Sequence, residues 1–366
     1  PATGLPLLLL VLYFGFYKFV GVFGAGTVVD FLEAKVFEEI LNPFFSGIAE
    51  QAIPWPVLQQ LFTGEYGILT MGLKYAVAII LPVVAFFFII FSIIEDSGYL
   101  PRLAMLLDRV FKKVGLSGRA VIPMVLGLGC STMATMVTRT LGTKRERIIA
   151  TLLLALAVPC SAQLGVMLAL LSSTGAALWV WLATVAVMFL VIGRAAAVLM
   201  PGKAPSFYME IPPLRLPRIE NVLSKTYSRV IWYLKEIVPV FLIASALIWL
   251  GQITGLFQAL ISLLSHPLRL MGLPAEAGTV FLFGFFRRDY GAAGLYELAA
   301  KGVLSSAQIT VAAVTLTLFL PCIAQFLMNI KERGVKTGLA ISGIVLSISF
   351  GVGIVLHHLF QLAEAL

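Results

Sequence analysis

Long stretches without a charged residue alternate with short basic segments along most of this chain. Such stretches are residues 75–94, 148–193, 237–265, 302–330 and 337–356. The N-terminal run of residues 1–24 is apolar as well, with Lys18 as its one charged residue. A helix needs about 20 apolar residues to cross the hydrocarbon core of a bilayer. Because residues 148–193 are long enough for two helices, the pattern predicts about seven crossings.

Two further segments, residues 120–138 and 277–290, are apolar but do not fit simple crossings. Lysine and arginine concentrate on the cytoplasmic side of membrane proteins. The segments that carry 19 of the 26 basic residues are 95–119, 139–147, 194–235 and 331–336. Because two of them flank residues 120–138, we predict that this segment enters and leaves the membrane on the cytoplasmic side. We treat residues 277–290 likewise, and we expect the acidic residues 25–66 and the C-terminus outside.

The composition supports a membrane protein. Hydrophobic residues make up 60% of the 366, charged residues only 12%, and the mean hydropathy is +1.00. A soluble protein of this size could not bury so much apolar surface, so soluble and disordered classes are excluded. The net charge of +8 is explained by the basic cytoplasmic loops and needs no nucleic acid as partner.

The chain also matches itself. At an offset of 157 residues, Gly98, Gly115 and Gly127 correspond to Gly255, Gly272 and Gly284, and at 162 a Pro-Cys-x-Ala-Gln pentad recurs at 159–163 and 321–325. Three predicted crossings separate the copies, so the second should be inverted, with a substrate site near the membrane midplane. The predicted organisation is an N-terminal helix and external loop (1–66), a first gate repeat (67–172), a linking helix and cytoplasmic loop (173–227), a second gate repeat (228–334) and a C-terminal helix (335–366).

The first candidate site is the glycine-rich segment in residues 120–138. Gly127 and Gly129 permit an unwound backbone, and the thiol of Cys130 with the hydroxyls of Ser131 and Thr132 would then face one place. Thiols, hydroxyls and backbone carbonyls suit a cation. Small residues at this spacing also let helices pack closely, so a packing role stays open.

The paired pentads add the other candidate ligands, which are Pro159, Cys160 and Gln163 in the first copy and Pro321, Cys322 and Gln325 in the second. Each proline lacks the N–H that would bind the carbonyl four residues earlier. Helix C-terminal ends carry partial negative charge and favour cations. Thiols combined with oxygen ligands suggest a borderline transition metal rather than Mg²⁺ or Ca²⁺. The sequence therefore predicts a shared metal site, although a buried cysteine is commonly just a small apolar residue.

Two charged pairs are weaker candidates. Glu95 and Asp96 end a predicted crossing, either as an ion mouth or as a solvated helix end. Arg288 and Asp289 lie in the second re-entrant segment, where an internal ion pair with a gating role would offset the cost of burying charge. The chain has no P-loop, and no catalytic motif is visible, so we expect a transporter rather than an enzyme and no GTP site.

Several ordered motifs resemble the membrane domain of the FeoB-type prokaryotic ferrous iron transporters. They are Glu95-Asp96-Ser97-Gly98-Tyr99, Gly115-Leu116-Ser117-Gly118, Gly127-Leu128-Gly129-Cys130, Thr138-Arg139-Thr140-Leu141, Arg145-Glu146-Arg147 and Pro159-Cys160-Ser161-Ala162, and residues 281–334 resemble the second gate region of that family. The resemblance implies Fe²⁺ as substrate, a path past the gate cysteines and a place in the prokaryotic inner membrane. It also implies a GTPase domain, which we expect as a missing N-terminal part or a separate chain, and a small accessory protein of the uptake system.

This chain departs from the family pattern at two places. Ser131-Thr132-Met133 stands where Asn-Val-Pro is common, and Gln163 stands where arginine is common. Another divalent metal, or a nucleoside-like organic solute carried by the same two-gate architecture, therefore stays open as the alternative substrate. The sequence leaves open whether the protein forms a homo-oligomer in the lipid bilayer.

Overall fold

The computed structural model describes residues 12–52, 54–64, 67–74, 77–78, 81–172, 175–202, 215–319 and 321–365. Within these ranges the regular elements are all helices, which confirms the all-α fold class. Three helical runs there are long and apolar enough to cross a membrane, and up to five if each bent helix pair forms one span. The chain is therefore a polytopic membrane protein, and the count of seven crossings stays a prediction.

The described part of the N-terminal region is mostly helical. It comprises π-helices Leu12–Val28, Phe31–Leu41 and Ile68–Leu73 and α-helices α1 (Asn42–Ala52) and α2 (Pro56–Thr63). The acidic segment that the sequence suggests as a loop is thus built from short helices. Its carboxylates have a structural role, because Lys74 Nζ lies 2.9 Å from carboxylate oxygens of both Glu33 and Glu38.

From residue 81 onward, the described residues contain two series of seven α-helices. The first series is α3 (Leu81–Asp96), α4 (Tyr99–Lys113), α5 (Val121–Gly129), α6 (Ser131–Val137), α7 (Lys144–Leu156), α8 (Ser161–Ser172) and α9 (Ala176–Leu199). The second is α10 (Ile219–Ile253), α11 (Leu256–Leu270), α12 (Ala277–Phe286), α13 (Arg288–Ala300), α14 (Ser306–Leu318), α15 (Ile323–Arg333) and α16 (Val335–Ala365).

The chain divides into two compact units. The first contains Pro1–Leu100 and Ile211–Leu256, and in it α3 packs against α10. The second contains Pro101–Glu210 and Phe257–Leu366, and it holds the remaining helices of both series. All three cysteines belong to this second unit.

Matching turns confirm the internal repeat. Gly115 and Gly272, 157 residues apart, follow α4 and α11 with φ of +79° and +69°, a backbone conformation that glycine adopts without steric cost. The next residue closes the same turn in each copy: Leu116 N donates to Phe111 O at 2.9 Å, and Leu273 N donates to Leu268 O at 3.0 Å. The sequence offset therefore corresponds to one repeated helix end.

Glycine contacts recur in the same way at the helices that follow. A Cβ on Gly127 would lie 2.5 Å from Leu154 Cδ2, and a Cβ on Gly284 would lie 2.9 Å from Leu316 Cδ1. Leu154 and Leu316 are themselves equivalent at the second offset, 162. The close packing of α5 on α7 is thus reproduced by α12 on α14.

The repeat extends one helix further than the sequence motifs predict. In α9, Gly193 packs against Val114, and in α16, Gly353 packs against Met271. Val114 and Met271 are equivalent at the 157-residue offset. Helices α9 and α16, which the sequence suggests as a link and a C-terminal addition, are therefore the last members of the two series.

Within the second unit the two series pack against each other through reciprocal contacts, as two copies related by a pseudo-twofold axis would. Helix α6 packs on α15 while α13 packs on α8, and α9 packs on α14 while α16 packs on α7. Such reciprocal contacts are those of an isologous interface. Within Ser306–Arg333, 82% of the most apolar 18-residue stretch is buried, whereas the corresponding stretches of α9 and α16 are only 17% and 28% buried. The centre of this unit is therefore α14 and α15, with α9 and α16 available to lipid.

Candidate functional site

Four of the helix breaks in the described part of the second unit form two repeat-equivalent pairs, and three of these four carry a cysteine. Cys130 separates α5 from α6 with φ −150° and ψ 112°, and Arg287 separates α12 from α13 with φ −145° and ψ 121°. These two positions are equivalent in the repeat. The other two breaks, before α8 and α15, carry Cys160 and Cys322.

The breaks place each sulfur-bearing residue at the start of a short helix. Cys130 and Cys322 are the N-cap residues of α6 and α15. The carbonyls of Cys160 and Cys322 accept the first helical hydrogen bonds at the same length, 2.8 Å, from Leu164 N and Phe326 N. The site thus combines the C-terminal helix ends that the sequence predicts with N-terminal ends beside the thiols.

The three cysteines share one zone but do not form a closed ligand set. Cys322 lies within electrostatic range of both Cys130 and Cys160, and all three residues are of intermediate exposure. Across the described ranges, no three His, Cys, Asp or Glu side chains are grouped so that they could hold a metal ion. The prediction of a shared metal site is therefore not confirmed by the geometry.

The glutamines of the two pentads are fully buried. Gln163 Nε2 donates to Leu316 O at 3.2 Å, while its Oε1 has no hydrogen-bond partner in the described part of the chain. Neither carboxamide atom of Gln325 has such a partner there. Buried polar atoms are nearly always paired, so these two side chains present oxygen atoms that the fold itself does not use.

Hydroxyl groups connect the breaks of the first series. Ser131 Oγ lies 3.4 Å from both Gly127 O and Val158 O, and Ser161 Oγ donates to Gly129 O at 3.1 Å. Thr132, like Ser131, is only 4% exposed. The predicted oxygen ligands are therefore buried around the breaks, and Pro159 and Pro321 are buried at the two breaks that they create.

The guanidinium of Arg288 binds the C-terminal end of α7, where Pro159 leaves backbone carbonyls without a helical partner. Arg288 Nη2 donates to Ala155 O at 2.7 Å and Nη1 to Val158 O at 3.2 Å, and this arginine is only 4% exposed. The predicted ion pair of Arg288 with Asp289 is wrong. The partner of Asp289 is Arg287, whose Nε donates to Asp289 Oδ1 at 3.1 Å. Asp289 lies in the first turn of α13, where a carboxylate is favourable, and Arg287 reaches it from the break.

Glu95 and Asp96 lie in the first unit and have basic partners. Asp96, only 2% exposed, accepts from Arg218 N at 3.0 Å and from Arg215 Nη2 at 3.1 Å. Glu95 Oε2 lies 2.6 Å from Arg229 Nη2. The contacts favour a charge network that joins the end of α3 to the start of α10 over an open ion mouth.

One polar pair was not predicted from the sequence. Thr135 on α6 and Asn329 on α15 are both fully buried, with Thr135 Oγ1 3.5 Å from Asn329 Oδ1. The available signal was the spacing: Asn329 lies one helical turn after Gln325 in an apolar segment, so the two share a helix face.

Comparisons with known proteins agree with this architecture. The family described as Gate, nucleoside recognition, matches residues 77–174 and 234–336, which is more than half of the chain. The two matched intervals fall on the two helix series. The family described as ferrous iron transport protein B C terminus matches residues 178–229. No solved structure matches the chain.

Curated relatives are named as iron transporters. The Fe(2+) transporter FeoB of Methanocaldococcus jannaschii is 30% identical over 72% of this chain and 45% of its own length. That of Synechocystis is 29% identical over 81% of this chain and 49% of its own length. An Fe(2+) transport protein A/Fe(2+) transporter FeoB fusion protein of Porphyromonas gingivalis is 32% identical over 47% of this chain and 21% of its own length. The chain spans at most about half the length of these relatives. It belongs to the FeoB-type ferrous iron transporter family and corresponds to the membrane part that carries the two Gate segments.

Proposed function

We propose that this chain moves Fe²⁺ across the prokaryotic cytoplasmic membrane through a gated site at the four helix breaks. The observation that carries the proposal is the placement of Cys130, Cys160 and Cys322 at three of those breaks, each at the start of a helix. Sulfur ligands at unwound backbone suit a borderline divalent metal. Named relatives along most of the chain are Fe²⁺ transporters.

The ligands differ in their roles. The thiolates would supply the charge that binds Fe²⁺, and the buried amide oxygens of Gln163 and Gln325 would complete the coordination without further charge. Ser131 and Thr132 would assist at the first break. Because the sulfurs form no closed set across the described ranges, the ion is held by partial coordination, which allows its release.

Arg288 is the gating residue of this proposal. With its guanidinium on the carbonyls of Ala155 and Val158, it neutralises the negative end of α7 while no metal is there. An incoming Fe²⁺ beside Cys160 would repel this charge, and displacement of Arg288 would free two carbonyls for the ion. Asp289 pairs with Arg287 and so holds the positive charge of that neighbouring arginine at the start of α13.

Uptake by reconstituted vesicles tests the site. We expect each of Cys130→Ser, Cys160→Ser and Cys322→Ser to lower the initial rate of Fe²⁺ uptake. Gly165→Ala is the control, since a Cβ there would have no described atom within 4 Å. Wild-type uptake in all three variants would overturn the site, and an absence of Fe²⁺ uptake by the wild-type protein would overturn the function.

A nucleoside-like solute is the second candidate. The matching family carries the description nucleoside recognition, and buried carboxamides such as that of Gln325 are groups that pair with base edges. This alternative requires uptake of labelled nucleosides, or their competition with Fe²⁺, and no metal in the purified protein. Elemental analysis together with the competition experiment separates the two substrates.

The proposal includes partners outside this chain. A GTPase domain, fused or separate, would couple transport to nucleotide hydrolysis, and a small accessory protein would join the uptake system. The fusion in the name of the Porphyromonas gingivalis relative supports the second of these. We expect an accessory protein encoded with this chain to copurify with it from membranes.

A further inference from the structure

A stripe of polar side chains runs from the cysteine breaks along the interface of α6 and α15. On α15 it consists of Cys322, Gln325 and Asn329, which are spaced by three and four residues and so share one face. On α6 it continues through Ser131 and Thr135. The four side chains other than the cysteine are at most 4% exposed.

The stripe contains more polar atoms than the protein satisfies. Besides both carboxamide atoms of Gln325, the Nδ2 of Asn329 has no hydrogen-bond partner within the described residues. Thr135 Oγ1 already donates to Ser131 O at 2.9 Å and lies 3.5 Å from Asn329 Oδ1. Burying a polar atom without a hydrogen-bond partner is unfavourable, because the atom loses its hydrogen bonds to water. The stripe is therefore arranged for water or an ion that enters it.

Charged side chains close the far end of the stripe. Arg333, the last residue of α15, donates to Thr138 Oγ1 and, at 3.0 Å, to Thr151 Oγ1. Beside it, Arg139 Nε donates to Glu332 Oε2 at 2.8 Å. This end adjoins the basic segments 139–147 and 331–336, which the charge distribution assigns to the cytoplasmic side.

The repeat provides an internal comparison. At the equivalent interface of α8 and α13, Ala292 stands in place of Thr135 and Met167 in place of Asn329, and both are fully buried. Leu171 there is the equivalent of Arg333. The second interface keeps polar residues near the breaks, where Gln163 and Arg288 stand in place of Gln325 and Ser131. Further along it, the same helix packing is achieved with apolar side chains, so close packing alone does not require Thr135 and Asn329 to be polar.

We infer that the interface of α6 and α15 is the cytoplasmic leg of the permeation path. In it, Thr135, Gln325 and Asn329 form a second, oxygen-lined subsite for a hydrated divalent cation. The inference rests on the proposed function, because the cation is the one that leaves the cysteines. Oxygen ligands hold Fe²⁺ less tightly than thiolates, which favours release, while Arg333 and the pair of Arg139 with Glu332 form the gate below.

A variant that copies the apolar interface tests the subsite. In the double variant Thr135→Ala and Asn329→Met, both residues are replaced by their repeat equivalents, so we expect a folded protein with a thermal midpoint no lower than that of the wild type. We expect Fe²⁺ uptake to fall about tenfold or more, a factor that corresponds to about 1.4 kcal/mol. Met167→Leu is the matched control. Uptake of the double variant at the wild-type rate would overturn the inference.

A second measurement does not depend on Fe²⁺ transport. With the three native cysteines replaced by serine in the full chain, Asn329→Cys and Met167→Cys are compared for their reaction with a small cationic methanethiosulfonate applied from the cytoplasmic side. We expect the first to be modified at least about tenfold faster, since only its surroundings are hydrated. Equal rates would overturn the inference even if Fe²⁺ uptake is confirmed, whereas a wild-type protein without Fe²⁺ uptake would overturn the proposed function alone.

Discussion

Gly291 allows α12 and α13 to pack against each other, and replacing it by alanine gives a sharp test of that contact. A Cβ on Gly291 would lie 2.6 Å from Gly284 Cα and 3.2 Å from Gly284 N. Both are backbone atoms, so no side-chain rotation can make room. Alanine in place of glycine inside a helix contributes about 0.5–1 kcal/mol, whereas overpacking costs about 1–3 kcal/mol. We therefore expect Gly291→Ala to lose about 1 to 2 kcal/mol in the free energy of unfolding.

Denaturation of the purified protein in detergent, followed by circular dichroism, measures this change. Gly165→Ala in α8 is the matched control, because a Cβ there would have no described neighbour within 4 Å, and it should gain about 0.5–1 kcal/mol. The same substitution thus has opposite expected signs at the two positions. A Gly291→Ala protein as stable as the wild type would show that the two backbones do not approach as described.

Three further predictions concern helix ends and breaks. Arg288→Met leaves the carbonyls of Ala155 and Val158 without their donor, so thermal unfolding should report a loss of about 2 kcal/mol or more, unlike a surface Arg→Met control. Ser305→Ala removes the capping box of α14, in which Ser305 Oγ accepts from Gln308 N, and should cost about 1 kcal/mol in the same assay. Arg287→Cys should raise the metal retained after dialysis and lower Fe²⁺ uptake; an unchanged metal content would contradict this.

The sequence predicts the helix breaks where a residue type enforces them. Pro159 and Pro321 interrupt α7–α8 and α14–α15, because proline cannot donate the hydrogen bond that continues a helix. The break at Arg287 has no such signal in its own segment. It could be found only through the 157-residue offset, which makes Arg287 the equivalent of Cys130.

The extent of the repeat is less visible in the sequence than in the structure. Helices α9 and α16 are largely exposed, and lipid accepts almost any apolar side chain on such a surface. Only the positions that touch the rest of the unit keep a constraint, such as Gly193 against Val114 and Gly353 against Met271. Two glycines in otherwise variable apolar segments do not form a recognisable motif.

The partners of the charged residues could not be predicted from the sequence. Arg288 binds carbonyls of Ala155 and Val158, more than 100 residues away, and Asp96 binds Arg215 and Arg218 from a distant segment. Burial of a charge indicates that a partner exists, but its identity depends on which helix ends the fold brings together. The neighbouring carboxylate of Asp289 was therefore the wrong choice for Arg288.

Arginine at the fourth break is consistent with the proposed function, in which the site must release its metal. A fully symmetric pair of repeats would carry four cysteines, and four thiolates form the closed tetrahedral set that is typical of structural metal sites. Arg287 replaces the fourth thiol with a positive charge, and Arg288 brings a second one to the adjoining helix end. Arg287 is paired with Asp289, so the charge of Arg288 would be the main one to oppose a bound cation. Under the proposed function, the two departures from symmetry would act in the same direction: the arginines at this break would weaken binding at the cysteines, and the polar stripe between α6 and α15 would give the ion a way out.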